Sequence, residues 1–282
     1  MTEKIMEKRK QNKYKVKYTI LFLLIIVYAT YSLLGKHSEE KMKSDLLNSN
    51  NTNIKKLVQM SEEYPKVNGI LKDIKLYPES LIDLASKNPE AIDFVANYPK
   101  YSEKLSSENI SIKKDYKKGE IPLFIQWDKR WGYDKYGQEF IAVNGCGPTS
   151  LAMIAVGLTG NTDINPKGVV DYSRDNGYLV NGVGTSWKLM TEGAKHFGLT
   201  GKEIPLSKDS IISNLKNGYP IIASMGPGEF TSKGHFIVLK GVDEDGKIIV
   251  NDPNSKLRSE KTWDIDVFIK ETKNLWAFNA SI

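Results

Sequence analysis

The chain has 282 residues, 26% charged, 40% hydrophobic and 10% aromatic, which allows one or two domains with a real core and excludes a disordered or fibrous chain. One cysteine excludes an intrachain disulfide framework, a Cys-x-x-Cys redox pair and thiolate-built zinc or iron–sulfur sites; with only three histidines, no metal and no organic cofactor is implied. The net charge of +6 is concentrated at the start: residues 1–18 hold seven Lys/Arg against Glu3 and Glu7, so the remaining 264 residues carry +1 and form no basic groove for nucleic acid.

Residues 1–17 are a basic tail. Residues 18–35 are uncharged and centred on Ile20–Val27, with Tyr18, Tyr28 and Tyr31 towards the ends where amphipathic rings suit an interface. As a helix of about 27 Å, this segment nearly matches the hydrocarbon core of a bilayer. A cleaved signal peptide shares the basic start. It usually has a shorter apolar run and a small-residue cleavage site, which only Thr30-Tyr31-Ser32 approaches. A core helix is rarely so free of polar residues. The expectation is an uncleaved anchor with the lysine-rich side cytoplasmic and everything after Lys36 outside the cell.

Residues 36–118 are expected to form a linker and an all-α stalk. The run Asn48–Asn53 has linker composition, and prolines 65, 78, 89 and 99 follow at spacings of 13, 11 and 10. Each precedes a short apolar pattern, such as Leu81-Ile82-x-Leu84-Ala85. Proline suits a first helical turn and breaks what precedes it, so the spacing predicts three or four helices of about two turns. Helices this short persist only when packed. A spacer or docking arm and a helical extension of the next domain both fit.

From Glu120 the character changes. Asn144-Gly-Cys-Gly-Pro-Thr-Ser150 runs into the apolar stretch Leu151–Val156, which predicts a helix opening near Cys146 and closing at Gly160. Helix N-terminal amides favour a thiolate there. Gly145 and Gly147 are expected to let a substrate backbone approach. Taken alone, Cys146 also fits a small buried hydrophobe.

A thiolate needs a basic partner. His37 flanks the apolar segment, and His196 lies in a predicted amphipathic helix over residues 185–198. His235 instead opens the β-branched run 235–242, with Asp243–Gly246 as a turn and residues 247–252 as the returning strand. That hairpin sets Asp252 roughly opposite His235, where a carboxylate would orient the imidazole. Helical patterns at 165–177 and 207–218, a strand at 220–224 and a glycine-rich loop at 225–234 fill the interval. Trp127, Trp131 and Trp187 are either core fillers or cleft-lining aromatics.

The order Gln126, Gly145-Cys146-Gly-Pro-Thr-Ser150, Gly234-His235 and Asn251-Asp252-Pro253 resembles the papain-like cysteine peptidases of family thirty-nine, the bacteriocin-processing type, and in particular their stand-alone relatives. The resemblance covers roughly residues 120–280. It implies an α+β papain-like fold over residues 119–282, with a catalytic helix packed on a small antiparallel sheet. By similarity Cys146 is the nucleophile, His235 the base and Asp252 the orienting acid. Gln126 is the oxyanion donor, with Gln138 the runner-up, and the Cys146 amide is the second donor. Gly145, Trp187 and Gly234 are expected around the substrate.

The bacteriocin processors are fused to transporter domains, whereas this sequence has one apolar segment and no Gly-x-x-x-x-Gly-Lys-Ser/Thr loop. The resemblance implies a thiol hydrolase acting on a peptide or protein, and the lysine bias before the apolar segment is what sets that substrate outside the cell. Transfer of the acyl group to an amine, and a catalytically silent peptide-binding module, stand as alternatives.

Overall fold

The computed structural model describes residues 2–102 and 110–281. Residues 103–109 of the expected stalk lie outside the described residues, as do the side chains of residues 2–5 and 8–13, which hold much of the expected basic tail. The chain divides into two compact units, residues 1–74 and 75–282.

The first unit is helical. Helix α1 runs Thr2–Leu47, 46 residues or about 70 Å at 1.5 Å per residue. It is long and apolar enough over Tyr14–Leu47 to cross a membrane. Every side chain from Ile20 to Val27 is exposed. The helix continues past the uncharged stretch because residues 36–47 are mostly good helix formers. The expected flexible linker at 48–53 is therefore only a short break: Asn51 caps helix α2 (Thr52–Met60), its Oδ1 accepting from Asn53 N at 2.9 Å and Ile54 N at 3.1 Å. Helix α3 (Val67–Lys72) ends the unit's helices.

The second unit opens with the proline-punctuated helices α4 (Glu79–Lys87), α5 (Ile92–Ala96) and α6 (Tyr98–Tyr101). Their buried residues, Leu81, Ile82, Leu84, Ala85, Ile92, Phe94 and Val95, are those of the expected apolar pattern. The segment is held on the rest of the unit by stacking of Phe94 on Tyr133 (centroids 4.1 Å apart) and by Tyr133 Oη donating to Phe94 O at 2.7 Å.

A small hairpin, β1 (Lys135–Tyr136) and β2 (Glu139–Phe140), leads through helix α7 (Ile141–Asn144) to helix α8 (Cys146–Thr159). Gly160 closes α8 with φ of 70°, a left-handed conformation that glycine adopts without steric cost. Helix α9 (Pro166–Asp175) follows, capped by Asn165. A second hairpin comprises β3 (Leu179–Val180) and β4 (Gly184–Thr185). Strand β5 (Leu199–Glu203), helix α10 (Lys208–Lys216), β6 (Ile221–Met225), β7 (His235–Val242) and β8 (Ile248–Asn251) come next. Helix α11 (Lys256–Ser259), β9 (Thr262–Trp263), α12 (Ile265–Glu271) and β10 (Thr272–Ala280) complete the chain.

The main sheet is antiparallel in the order β5-β10-β6-β7-β8-β9. Period-two alternation divides its side chains between two cores. Ile222, Phe236, Val238, Trp276 and Phe278 share a cluster with α8, whose residues 147–156 are all buried. Ile221, Ala223, Ile237, Leu239, Val250 and Leu275 face a second cluster containing Ile211 of α10 and Phe268 of α12. The mixed helix-and-sheet class is as expected. The helix expected over residues 185–198 is instead two 3-10 turns, Trp187–Met190 and Gly193–Phe197. Leu189, Met190 and Ala194 from these turns do reach the core.

Candidate active site

Cys146 is the first residue of α8 and is partly buried. Helix and sheet are tied beside it, where Ser150 Oγ donates to Phe236 O at 3.3 Å. His235 is the first residue of β7, at the same end of the sheet, and the Cys146 thiol is near enough to its ring for the two to interact.

The third group arrives by a turn rather than by the ladder. Val238 pairs with Asn251, and the ladder shifts between Leu239 and Gly241. After Asn251 the chain leaves the sheet and curls, with Ser255 N donating to Asp252 O at 3.2 Å. Asp252 is thereby turned beneath the histidine, with no exposed surface. His235 Nε2 donates to Asp252 Oδ1 at 2.7 Å, which leaves Nδ1 as the ring nitrogen for the thiol. Asn254 N donates to the same oxygen at 2.7 Å, and Arg258 Nε donates to Oδ2 at 2.6 Å. A buried carboxylate is tolerated only with such partners.

The electrostatics follow. Burial pushes the Cys146 thiol up, but the hydrogen bond and charge of His235, with the backbone amides of Phe236 and Gly147, outweigh it and hold the thiol below its ordinary value. Burial pushes His235 down, but the charge and hydrogen bond of Asp252, then those of Cys146, raise it well above the imidazole range. Burial likewise opposes ionisation of Asp252, and the charges and hydrogen bonds of His235 and Arg258 keep it low. Each shift favours the charged form of its group: thiolate, imidazolium and carboxylate. Such a set can attack a carbonyl and supply a proton to a leaving group.

The two candidate glutamines are placed differently. Gln126 is buried, and its Nε2 donates to Ala142 O at 2.7 Å, in the turn leading to Cys146. Its backbone N donates to Pro253 O at 2.7 Å, beside Asp252. The segment 127–141 thus loops out and returns. Gln138 is exposed in the turn between β1 and β2.

The glycines also differ. A side chain at Gly145 would meet Ile141 Cγ2 and O at 2.5 Å, and one at Gly147 would meet Thr185 Oγ1 at 2.7 Å. The missing side chains at Gly145 and Gly147 make room for α7 and β4. A side chain at Gly234 would meet nothing closer than Met225 O at 4.0 Å, so the glycine leaves open space beside His235.

Trp187 is 46% exposed and stands edge-on to Trp276, with centroids 5.4 Å apart. It lies two residues beyond the Thr185 that abuts Gly147. Trp131 is fully buried and Trp127 nearly so. The glycine-rich loop before His235 is pinned, not free: Phe230 is buried between Trp263 and Phe268, and the Glu271 carboxylate accepts from Glu229 N at 2.8 Å.

Arg258 was not singled out by the sequence reading. The available signal was that a buried Asp252 with two carboxylate oxygens needs more than one histidine, and the nearest following arginine lies six residues on.

Residues 118–280, more than half of the chain, match the Peptidase_C39 like family. Comparison with curated proteins finds no match. Among solved structures, the peptidase domain of Streptococcus ComA, a bi-functional ABC transporter involved in a quorum sensing pathway, is 23% identical, with a TM-score of 0.39. That alignment covers 49% of this chain and 93% of the other.

Proposed function

Since this chain belongs to the Peptidase_C39 like family, we propose that it is a membrane-anchored, extracytoplasmic cysteine peptidase with Cys146, His235 and Asp252 as its triad. The observation that carries this reading is the histidine ring held between the Cys146 thiol and the buried Asp252, with Nε2 to Oδ1 at 2.7 Å. A structural histidine on a core strand has no need of a thiol on one side and an arginine-braced carboxylate on the other.

In the proposed reaction the Cys146 thiolate attacks a peptide or amide carbonyl, forming the C–S bond. As the C–N bond breaks, the His235 imidazolium gives its proton to the leaving amine. Neutral His235 then takes a proton from water, whose oxygen attacks the thioester; the carboxylic acid leaves and the thiolate returns. Gln126, whose Nε2 donates to Ala142 O at 2.7 Å and more weakly to Val143 O at 3.4 Å, is assigned the developing oxyanion together with the Cys146 amide, the weaker of its two contacts being the one given up. Its burial beside the turn into Cys146 favours it over the exposed Gln138. Trp187 and Gly234 are assigned to the substrate-facing wall.

The fold is taken as papain-like over residues 119–282, with α8 as the catalytic helix on the antiparallel sheet. Exposed apolar side chains along α1, preceded by a lysine-rich tail, support residues 18–35 as the anchor, residues 1–17 as the cytoplasmic tail and residues 36–118 as a linker and helical stalk outside the cell.

Alkylation by iodoacetamide tests the reading. Cys146 is expected to react faster than free cysteine near neutral pH and slowly in His235→Ala; equal rates in the two proteins would sink it. Comparing cell-surface and secreted peptides of the wild type and Cys146→Ala identifies the substrate, and an added amine nucleophile distinguishes hydrolysis from acyl transfer.

A further inference from the structure

Asn88 and Glu90 lie outside the segment matched to the family, yet they hold the loop that carries the triad's acid. Glu90 Oε2 accepts from Lys256 N at 2.8 Å and Leu257 N at 3.2 Å, and Oε1 accepts from the Ser255 hydroxyl. Asn88 Nδ2 donates to Asn254 O at 2.7 Å, while Asn88 Oδ1 caps its own turn through Glu90 N at 3.1 Å.

The loop needs such support. Helix α11 has only four residues, too few to hold itself, and its first amides have no intrahelical partners. Glu90 takes two of them. Ser255 Oγ accepts from Arg258 N at 3.0 Å, and Arg258 Nε reaches Asp252 Oδ2 at 2.6 Å. An unbroken set of short polar contacts therefore runs from residues 88–90 through Ser255 and Arg258 to Asp252, then to His235 and Cys146.

We propose that Glu90, with Asn88, is a positioning residue for the triad: the proline-started corner between α4 and α5 fixes α11, so that Arg258 and Asp252 hold His235 aligned on Cys146. This rests on the triad reading given above. It makes residues 79–101 a working part of the peptidase unit rather than only a spacer.

The test uses the full-length protein and the pH dependence of iodoacetamide alkylation, which reports only on Cys146, the single cysteine. The charged and titratable groups facing the reacting pair are Asp252 and Arg258 on the loop side and Tyr136 beneath the thiol. In Glu90→Ala, a loosened Asp252 stabilises the imidazolium less, so the alkylation midpoint rises by about one pH unit, a tenfold change in the ionisation equilibrium. Glu90→Gln, which keeps one acceptor oxygen, shifts less. Tyr133→Phe, which loosens the same helical segment away from the loop, leaves the midpoint at the wild-type value.

A midpoint in folded Glu90→Ala equal to a depressed wild-type value overturns the proposal and leaves the triad reading intact. A wild-type midpoint equal to that of free cysteine overturns the triad reading itself. Should Glu90→Ala fail to fold, Asn88→Ala must shift the midpoint upward by a smaller amount; no shift there also overturns the proposal.

Discussion

Arg258 Nε and His235 Nε2 hold the two oxygens of one buried carboxylate, Asp252, at 2.6 and 2.7 Å. The carboxylate has no exposed surface, so neither oxygen has water to replace a lost partner. Arg258 is itself partly exposed and enters from a four-residue helix.

Arg258→Ala is therefore expected to destabilise the protein by about 1.5–3 kcal/mol, the range for hydrogen bonds to charged groups, since Asp252 keeps His235 and the Asn254 amide. Denaturant unfolding followed by tryptophan fluorescence measures this, and a change within experimental error would remove Arg258 from the account.

The pH dependence has a definite sign. His235 is raised to about 10 from an ordinary 6.5, so its contribution to stability is fully present below about 6.5 and is lost as pH rises through about 10. Asp252 is lowered, so its contribution is lost as pH falls through its depressed folded-state value. The melting-temperature difference between wild type and His235→Ala is thus expected to shrink on the alkaline side. Turnover is expected to fall there too, as the leaving amine loses its proton donor. A difference that stays constant up to pH 11 would contradict the imidazolium assignment.

Gly147→Ala is expected to cost about 1–3 kcal/mol, as overpacking does, because the added carbon meets Thr185 Oγ1 at 2.7 Å and Cβ at 2.8 Å. Thr185 is tied to Tyr136, whose hydroxyl lies 3.2 Å from its own, so the clash is not relieved by a free rotor. Thr185→Gly in the same chain should restore much of the loss. Additive rather than compensating effects would show that the contact is not the cause.

Gln126→Ala separates transition-state stabilisation from thiolate formation. Its alkylation profile is expected to stay near wild type, because Gln126 is not among the groups that hold the thiol low. Turnover of the peptide that accumulates in the Cys146→Ala strain should fall by about 100-fold or more, as for loss of one oxyanion donor. A parallel loss in both measurements would instead mark Gln126 as support for the turn at Ala142.

The features legible in advance are those encoded over short stretches. A helix opening at the Gly145-Cys146-Gly147 block, closed by Gly160, follows from apolar run and cap chemistry. The β7–β8 hairpin follows from two β-branched runs around a turn in which Asp243 Oδ1 accepts from Asp245 N and Lys247 N at 3.0 and 2.8 Å. Because a hairpin returns on itself, it also brings residues 235 and 252 to one end of the sheet. The region 185–198 misled because 3-10 turns and an α-helix share nearly the same spacing of apolar residues.

Local pattern alone thus determined the apolar N-terminal span, the proline-started helices, the helix at the thiol and the hairpin that begins at the histidine. Tertiary structure decided the rest: which glutamine is buried beside Ala142, why Gly145 and Gly147 lack side chains, and that Glu90 and Arg258 brace Asp252. Those contacts join loops and turns, some of them more than 160 residues apart in the chain. Their partners are chosen by where folded segments meet and by what a buried charge requires there, and no periodicity along the chain records either.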